Sequence, residues 1–204
     1  MNKFIEQEAK FRIGDPLGMR IRIEQLGAEL VLDHQQEINT RFDRTDGSMK
    51  TTHEVLRLRE DQKVRLTYKG PAEEGTEVSV RTEIEITVDS AEAATAFLEK
   101  LGYSPVEKYE KYRTTYHIEG AEIVLDELPY GHFVEIEGIN EETIRKIADK
   151  LNLDWEKRCK ISYLELFYRL KEKRGLTHDH LSFADYFPCL GSEDDLDAEF
   201  ADRE

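Results

Sequence analysis

The chain has 204 residues, of which 36% are charged and 39% are hydrophobic, and its formal net charge is −15. This excess of acidic residues argues against a protein that binds nucleic acid or an anionic membrane surface, because both would repel it. Two cysteines give neither a disulfide framework nor a metal-binding spacing. The first residues contain no apolar signal segment and no stretch has the length of a membrane span, so a cytoplasmic location is expected.

The period of the apolar residues predicts eight strands and four helices. The strands cover about residues 3–13, 29–43, 54–61, 63–69, 78–88, 104–117, 121–127 and 132–138. The first helix follows the first strand, with Asp15 as a candidate N-cap, Pro16 at the first helical position and Gly27 at the end. The other predicted helices lie within residues 89–102, 140–152 and 160–174.

The chain is expected to contain one large domain. Residues 1–174 show no internal repeat and no Gly/Ser linker that would divide them. Residues 175–204 are predicted to form a C-terminal arm followed by an acidic, disordered tail, because residues 192–204 hold seven acids against a single arginine. A homodimer through an outer apolar face is one expectation for assembly.

Charged residues alternate with apolar ones along most of the predicted strands, so each strand presents its charges on one face. In the first strand, Glu6, Glu8 and Lys10 share a face. The later strands place further charges in the same way: Arg57, Arg59, Arg65, Lys69, Arg81, Glu83, Glu85, Lys111, Arg113, Asp126, Glu135 and Glu137.

Two architectures fit this alternation. An open antiparallel sheet would pack its apolar face on helices and leave the charges in water. A barrel would turn the charged face inward, hold a small ligand and leave no unpaired edge. Periodicity does not choose between them, but arginines aligned on adjacent hairpin strands favour closure. Composition thus slightly favours an α+β fold with a closed eight-stranded antiparallel barrel, an ionic interior and helices packed outside, and the open sheet remains the alternative.

A closed barrel with this interior has a chemical consequence. Buried bases are costly unless acids or an anionic ligand pair with them. Clustered carboxylates favour a hard divalent cation with oxygen ligands. A basic wall facing an acidic wall suits a metal-bound polyphosphate, with arginine and lysine on the phosphate oxygens and Mg²⁺ or Mn²⁺ held by the carboxylates.

The E-x-E-x-K sequence of Glu6, Glu8 and Lys10 resembles the signature of the CYTH superfamily, the triphosphate tunnel metalloenzymes. The resemblance covers roughly residues 4–168 and includes LRLR, RLTYKGP, RTEIEI, EKYRTTY, LDELPYGHFVEIEG and KISYLEL. These motifs are most similar to those of the class IV adenylyl cyclase branch. The family fold is a tunnel of eight antiparallel strands, the same number that the periodicity predicts.

The resemblance also implies residue roles and a Mg²⁺ or Mn²⁺ cofactor. The implied metal ligands are Glu6, Glu8, Asp126, Glu135 and Glu137. The implied triphosphate-binding residues are Lys10, Arg57, Arg59, Lys69, Arg113 and Lys160, and Glu6, Glu8 and Lys10 form the catalytic group. Further candidates for triphosphate binding on the same faces are Arg65, Arg81 and Lys111, followed by the acids Glu83 and Glu85. For Lys160, the alternative to triphosphate binding is that it is a lysine on the protein surface. For Glu83 and Glu85, the alternative to a functional role is pairing with neighbouring arginines.

The expected function is that of a class IV adenylyl cyclase, which converts ATP to cyclic AMP and pyrophosphate. The alternative is hydrolysis of inorganic tripolyphosphate or of an organic triphosphate, because the same walls serve both reactions. A non-catalytic module that binds polyphosphate or nucleotide is a third hypothesis, and an open-sheet interaction scaffold is a fourth. The expected partner in the first three is a small triphosphate.

Overall fold

The computed structural model describes residues 4–177, 180–184 and 195–202. Eight strands form between residues 5 and 137, as the periodicity predicted. They are β1 (Ile5–Ile13), β2 (Glu29–Arg44), β3 (Val55–Glu60), β4 (Val64–Lys69), β5 (Ser79–Val88), β6 (Tyr103–Ile118), β7 (Ala121–Leu128) and β8 (Gly131–Glu137).

All four predicted helices are present in the described residues. They are α1 (Pro16–Gln25), α3 (Ala91–Lys100), α4 (Glu141–Lys150) and α5 (Tyr163–Arg174). The structure also contains the one-turn helix α2 (Ser48–Thr51) and a 3₁₀ turn at Trp155–Lys157. The predicted N-cap of α1 is confirmed, since the Asp15 carboxylate accepts from the Gly18 amide at 2.8 Å. Gly27 follows the helix with a φ of +78°, a conformation that glycine adopts without strain.

The strands are antiparallel throughout and close into a ring in the order β1-β5-β4-β3-β2-β6-β7-β8. The closed barrel, rather than the open sheet, is therefore the architecture of this chain. β1 pairs with β5 through residues 5–8 and with β8 through residues 8–13. Where β5 no longer covers β1, the Cys159 amide donates to the Lys10 carbonyl at 2.7 Å, so the segment before α5 continues the wall.

The apolar outer faces of the strands are covered by helices. Ile144 and Ile147 of α4 are fully buried in a cluster with residues of β1, β7 and β8. Leu98 of α3 packs in a cluster with β3 residues and the outer residues of β4. Each fully buried side chain of this kind contributes about 1.5–3 kcal/mol of hydrophobic free energy. The outer faces therefore supply the core, and the interior of the ring is left to polar side chains.

α5 packs against the end of the ring where β7 turns into β8. Its side chains Tyr163, Leu166 and Phe167 are buried in one cluster with Tyr109 and Phe133 from the barrel. The Tyr130 hydroxyl, from the turn between the two strands, donates to the carbonyl of Tyr163 at 2.8 Å. The start of α5 is therefore fixed to the barrel wall.

The described residues beyond α5 also contact the barrel. Leu181 is fully buried and forms a bridge with Tyr109, beside the half of β6 that extends past β7. Residues 195–202 also contact the fold, so the expectation of a disordered tail does not describe them: Asp195 accepts from Arg174 of α5 at 2.8 Å, Phe200 forms a bridge with Arg12 of β1, and Asp202 forms one with Leu153 after α4. The rest of that prediction falls on residues 178–179, 185–194 and 203–204, outside the described residues, and the domain boundary at 174 stays a prediction.

Two surface properties complete the fold. Among the described residues, none of the helices combines the length and the apolar character that crossing a membrane requires. Ile84 and Ile86 are exposed on the outer face of β5. The homodimer through an outer apolar face stays a prediction.

We expect Asp202→Ala to lower the free energy of unfolding by about 1–2 kcal/mol, because the charge-assisted hydrogen bonds to the chain before α1 are lost. The Asp202 carboxylate accepts from the amides of Gly14 at 2.9 Å and Asp15 at 2.8 Å. Urea unfolding measures the change. Glu199→Ala is the control, because that side chain is 80% exposed. Equal stability of the two variants would contradict the docking of residues 195–202.

Candidate functional site

The inward faces of the strands enclose a cavity of about 950 Å³. This volume lies near the upper end of the range for small-molecule sites. Every site residue predicted from the sequence lines the cavity except Asp126. Among the described residues that line the cavity, the sequence analysis missed six acids and three bases, which are Glu37, Asp61, Glu73, Glu74, Glu77, Glu122, Arg41, Lys63 and Arg158.

The strand register explains why these charges meet. Residues directly opposite each other in an antiparallel pair have their side chains on the same face. Glu6 lies opposite Arg81, and Lys69 lies opposite Glu83. Period-two alternation then carries the same face along each strand, so the charged sets from all eight strands share the interior.

Asp126 forms the most deeply buried group of ion pairs. Its carboxylate accepts from Lys111 Nζ at 2.8 Å, from Arg113 Nε at 2.7 Å and from the Tyr163 hydroxyl at 3.0 Å. Burial opposes ionisation, but Arg113 and Lys111 outweigh it and lower the pKa of Asp126. In this arrangement its oxygens bind cations of the protein itself, and its metal-binding role stays a prediction.

Glu37 is the second buried acid of this network, and it is 1% exposed. It accepts from Arg59 Nη1 at 3.2 Å and lies 3.6 Å from Lys111 Nζ. Burial acts to raise its pKa, but Lys111, Arg113 and Arg59 lower the pKa to about 2. The sequence could have predicted that Glu37 faces the interior, because Glu37 and Arg41 alternate with apolar residues of β2, as the charged residues of the other strands do.

Other bases of β3, β4 and β6 also have acidic partners. Arg59 donates to Glu85 at 2.9 Å, and Arg113 donates to Glu135 at 2.7 Å. Lys69 Nζ lies 2.7 Å from Glu6 and 3.2 Å from Glu83. Arg65 donates to the missed acid Asp61 at 2.8 Å. Pairing with neighbouring arginines, one of the two alternatives for these acids, is present for Glu85 with Arg59, whereas Glu83 pairs with Lys69.

Four of the cations predicted from the sequence are different. Within the described part of the chain, no carboxylate lies within 4.0 Å of the charged nitrogens of Lys10, Arg57, Arg81 or Lys160. Lys10 Nζ instead lies 4.3 Å from the centroid of the Tyr163 ring. Arg81 donates to the Ser79 hydroxyl at 3.0 Å, and Lys160 donates to the Thr76 carbonyl at 3.0 Å. None of these four cationic groups therefore forms a direct ion pair with a carboxylate of the described residues.

Acidic residues gather on the neighbouring strands. Glu8, Glu137 and Glu122 lie directly opposite one another across β1, β8 and β7. Like charges in such positions are destabilising. Although Glu137 is at the solvent-exposed mouth, desolvation of its carboxyl and the charges of Glu6 and Glu122 raise its pKa to about 7. Burial also raises the pKa of Glu6, partly offset by Lys69. Lys69 is the basic partner of Glu6 in this wall, and no base of the described residues lies within 4.0 Å of Glu8 or Glu137.

The acidic wall was tested for its fit to a divalent cation. Among residues 4–177, 180–184 and 195–202, no group of three or more His, Cys, Asp or Glu side chains is arranged to hold a metal ion in this conformation. The donor chemistry does fit, because carboxylate oxygens suit Mg²⁺ and Mn²⁺. Glu8 and Glu137 have no basic partner within 4.0 Å in the described chain, and Glu6 lies beside them. These three would hold the cation.

Comparison with known proteins identifies the family. A profile of the CYTH domain matches residues 5–163. The chain belongs to the CYTH family. A Methanocaldococcus jannaschii protein that is named provisionally as an adenylate cyclase is 32% identical over 173 residues. The match covers 79% of this chain and 98% of that protein.

Solved structures of other proteins share the CYTH fold. A Vibrio parahaemolyticus protein, described provisionally as an adenylate cyclase, matches with a TM-score of 0.73 at 23% identity, over 82% of this chain and 99% of that one. A Pyrococcus horikoshii protein matches with a TM-score of 0.65 at 30% identity, over 83% of this chain and 99% of that one.

The pKa of Glu37 gives a prediction about stability. Because this pKa falls from 4.5 to about 2 on folding, the ion pairs stabilise the protein fully above about pH 5 and lose their effect as the pH falls toward about 2. The loss amounts to about 3 kcal/mol. We expect Glu37→Gln to lower the free energy of unfolding at pH 7 by about 3–5 kcal/mol, because buried bases lose their partner.

Urea unfolding at pH 7, 5 and 3 would measure both effects, and the variant should lose less stability with falling pH than the wild type does. Glu99→Gln is the control, since Glu99 is exposed on α3. If Glu37→Gln behaves like this control at pH 7, the buried network does not carry the assigned charge.

Proposed function

We propose that this CYTH protein is a divalent-metal-dependent enzyme that binds a triphosphate in the barrel and cleaves one of its phosphoanhydride bonds. The observation that carries the proposal is the pair of unbalanced walls. Lys10, Arg57 and Arg81 have no acidic partner in the described chain, and Glu8 and Glu137 have no basic one. A polyanion with its cation neutralises both walls in a single binding event.

The reaction that the cavity supports best is hydrolysis of the terminal phosphate. Phosphoryl transfer needs positioning and stabilisation of charge more than covalent chemistry. The unpaired bases would bind the phosphate oxygens and stabilise the departing diphosphate, while Glu6, Glu8 and Glu137 would hold the cation. When bound, Mg²⁺ or Mn²⁺ supplies neutralisation of the charge that develops on those oxygens.

The lining favours a substrate that is charged along its whole length. Among the described lining residues, the aromatic side chains are Tyr109 and Tyr163, which are 7% and 8% exposed. Both pack in the cluster with α5, and Lys10 lies over the ring of Tyr163. Neither offers an open face on which a nucleobase could stack. Inorganic tripolyphosphate is therefore the first substrate to test.

Adenylyl cyclase activity is the second candidate, and it is favoured by the provisional name of the Methanocaldococcus jannaschii relative. In that reaction the ribose 3′-hydroxyl of ATP would attack the α-phosphorus and release pyrophosphate. The same cationic side chains would then stabilise pyrophosphate as the leaving group.

A phosphorus NMR time course separates these reactions. Tripolyphosphate and ATP are each incubated with the protein and Mg²⁺ or Mn²⁺. We expect orthophosphate from tripolyphosphate, and orthophosphate without cyclic AMP from ATP. Pyrophosphate and cyclic AMP from ATP would establish the cyclase instead. Tight binding without turnover of either substrate would support the non-catalytic module.

We expect Glu8→Gln to lower kcat/KM about a hundredfold, because the acidic wall loses a ligand for the cation whose charge stabilises the transition state. A binding module predicts the opposite, since removal of a negative charge would preserve or strengthen binding of the anion. Titration calorimetry with tripolyphosphate and steady-state kinetics measure the two quantities. Glu99→Gln, on the exposed face of α3, should behave as the wild type.

A further inference from the structure

Lys10 lies in the cavity without a carboxylate partner, although an acidic residue lies on the neighbouring strand directly opposite it. Its direct neighbour across the β1–β8 pair is Glu135. The Glu135 carboxylate instead accepts from Arg113 Nη2 at 2.7 Å. No acid of the described chain lies within 4.0 Å of Lys10 Nζ, so its charge is held in place by something other than an ion pair.

The ring of Tyr163 occupies that position. Lys10 Nζ lies 4.3 Å from the ring centroid, well within the 6 Å range of a cation–π interaction. An aromatic face attracts the ammonium through its quadrupole and carries no net charge. It can therefore fix the position of Lys10 without cancelling the charge that a phosphate oxygen would meet.

Tyr163 is itself held from several directions. Its hydroxyl donates to Asp126 Oδ2 at 3.0 Å, and its carbonyl accepts from the Tyr130 hydroxyl at 2.8 Å. Its ring packs edge-on against Phe133, with ring centroids 5.1 Å apart. Tyr163 is also the first residue of α5, behind the N-cap Ser162. Rotation of the ring is thus restricted, as a positioning role requires.

We propose that Tyr163 is a positioning residue for Lys10, whose ring holds the ammonium group in the cavity with its full charge available to the triphosphate. This inference rests on the proposed function, in which Lys10 binds the phosphate. The inference gives the first residue of α5 a functional role in addition to its role in packing.

Two substitutions at Tyr163 separate the role of its ring from that of its hydroxyl. Tyr163→Phe keeps the ring and loses the bond to Asp126, whereas Tyr163→Leu loses both. We expect Tyr163→Phe to bind tripolyphosphate with Mg²⁺ within about twofold of the wild type, and Tyr163→Leu to bind about tenfold more weakly. Tyr168→Leu is the matched control, because its ring on α5 faces Lys50 outside the cavity, at 5.1 Å.

The double variant shows whether the effect passes through Lys10. Lys111 Nζ also lies 5.4 Å from the ring centroid, but Lys111 is already paired with Asp126. In a Lys10→Gln background, Tyr163→Leu should therefore weaken binding no further, because the unpaired group that the ring positions is already gone. Additive losses would overturn the positioning role, as would equal losses in Tyr163→Phe and Tyr163→Leu. Titration calorimetry gives the affinities, and thermal unfolding without ligand shows which variants remain folded.

A ligand-free measurement keeps this inference separate from the proposed function. Protons of the Lys10 side chain that lie over the ring should resonate upfield in the wild type and in Tyr163→Phe, and lose that shift in Tyr163→Leu. If the shift behaves so but the wild type binds no tripolyphosphate, the proposed function fails and the triphosphate role of Lys10 fails with it. If the wild type binds but no upfield shift exists, the role of Tyr163 alone is overturned.

Discussion

The structure depends on one constraint, which is that charges turned into a closed barrel must be balanced inside it. Among the described residues, twelve acids and twelve bases line the cavity, although the whole chain carries a net charge of −15. The excess of acid therefore lies elsewhere, and the interior does not repel an anion as the overall charge would suggest. Balance is nevertheless uneven, since Asp126 and Glu37 form ion pairs with bases of the barrel while Lys10 and Glu8 form none in the described residues.

This uneven balance links the fold to its proposed chemistry. Buried ion pairs seldom repay their desolvation unless their geometry is good and further hydrogen bonds complete them, as the bonds of Lys111, Arg113 and Tyr163 do for Asp126. The same rule makes the unpaired groups costly, and a cation–polyanion complex would remove that cost. The apolar outer faces and the helices that cover them supply the stability that permits such an interior.

The sequence predicted the ring and most of its lining because both follow from a local rule. Alternation with period two places Glu6, Glu8 and Lys10 on one face whatever their neighbours are. It does not state which acid pairs with which base, because that depends on register and on rotamers of distant strands. Asp126 therefore lies in a closed network although its motif suggests a cavity ligand. The packing of residues 195–202 against the fold was not predicted, because acidic composition alone does not show that Asp202 accepts hydrogen bonds from two backbone amides.

The central claim is that one cation–triphosphate complex neutralises the unpaired charges on both walls of the cavity. A crystal structure with tripolyphosphate and Mn²⁺, with anomalous scattering to locate the metal, tests it most directly. The claim predicts Mn²⁺ bound between the phosphate oxygens and the carboxylates of Glu6, Glu8 and Glu137, with Lys10 and Arg57 on the phosphates. Tripolyphosphate outside the barrel, or Mn²⁺ that contacts none of these carboxylates, would contradict it.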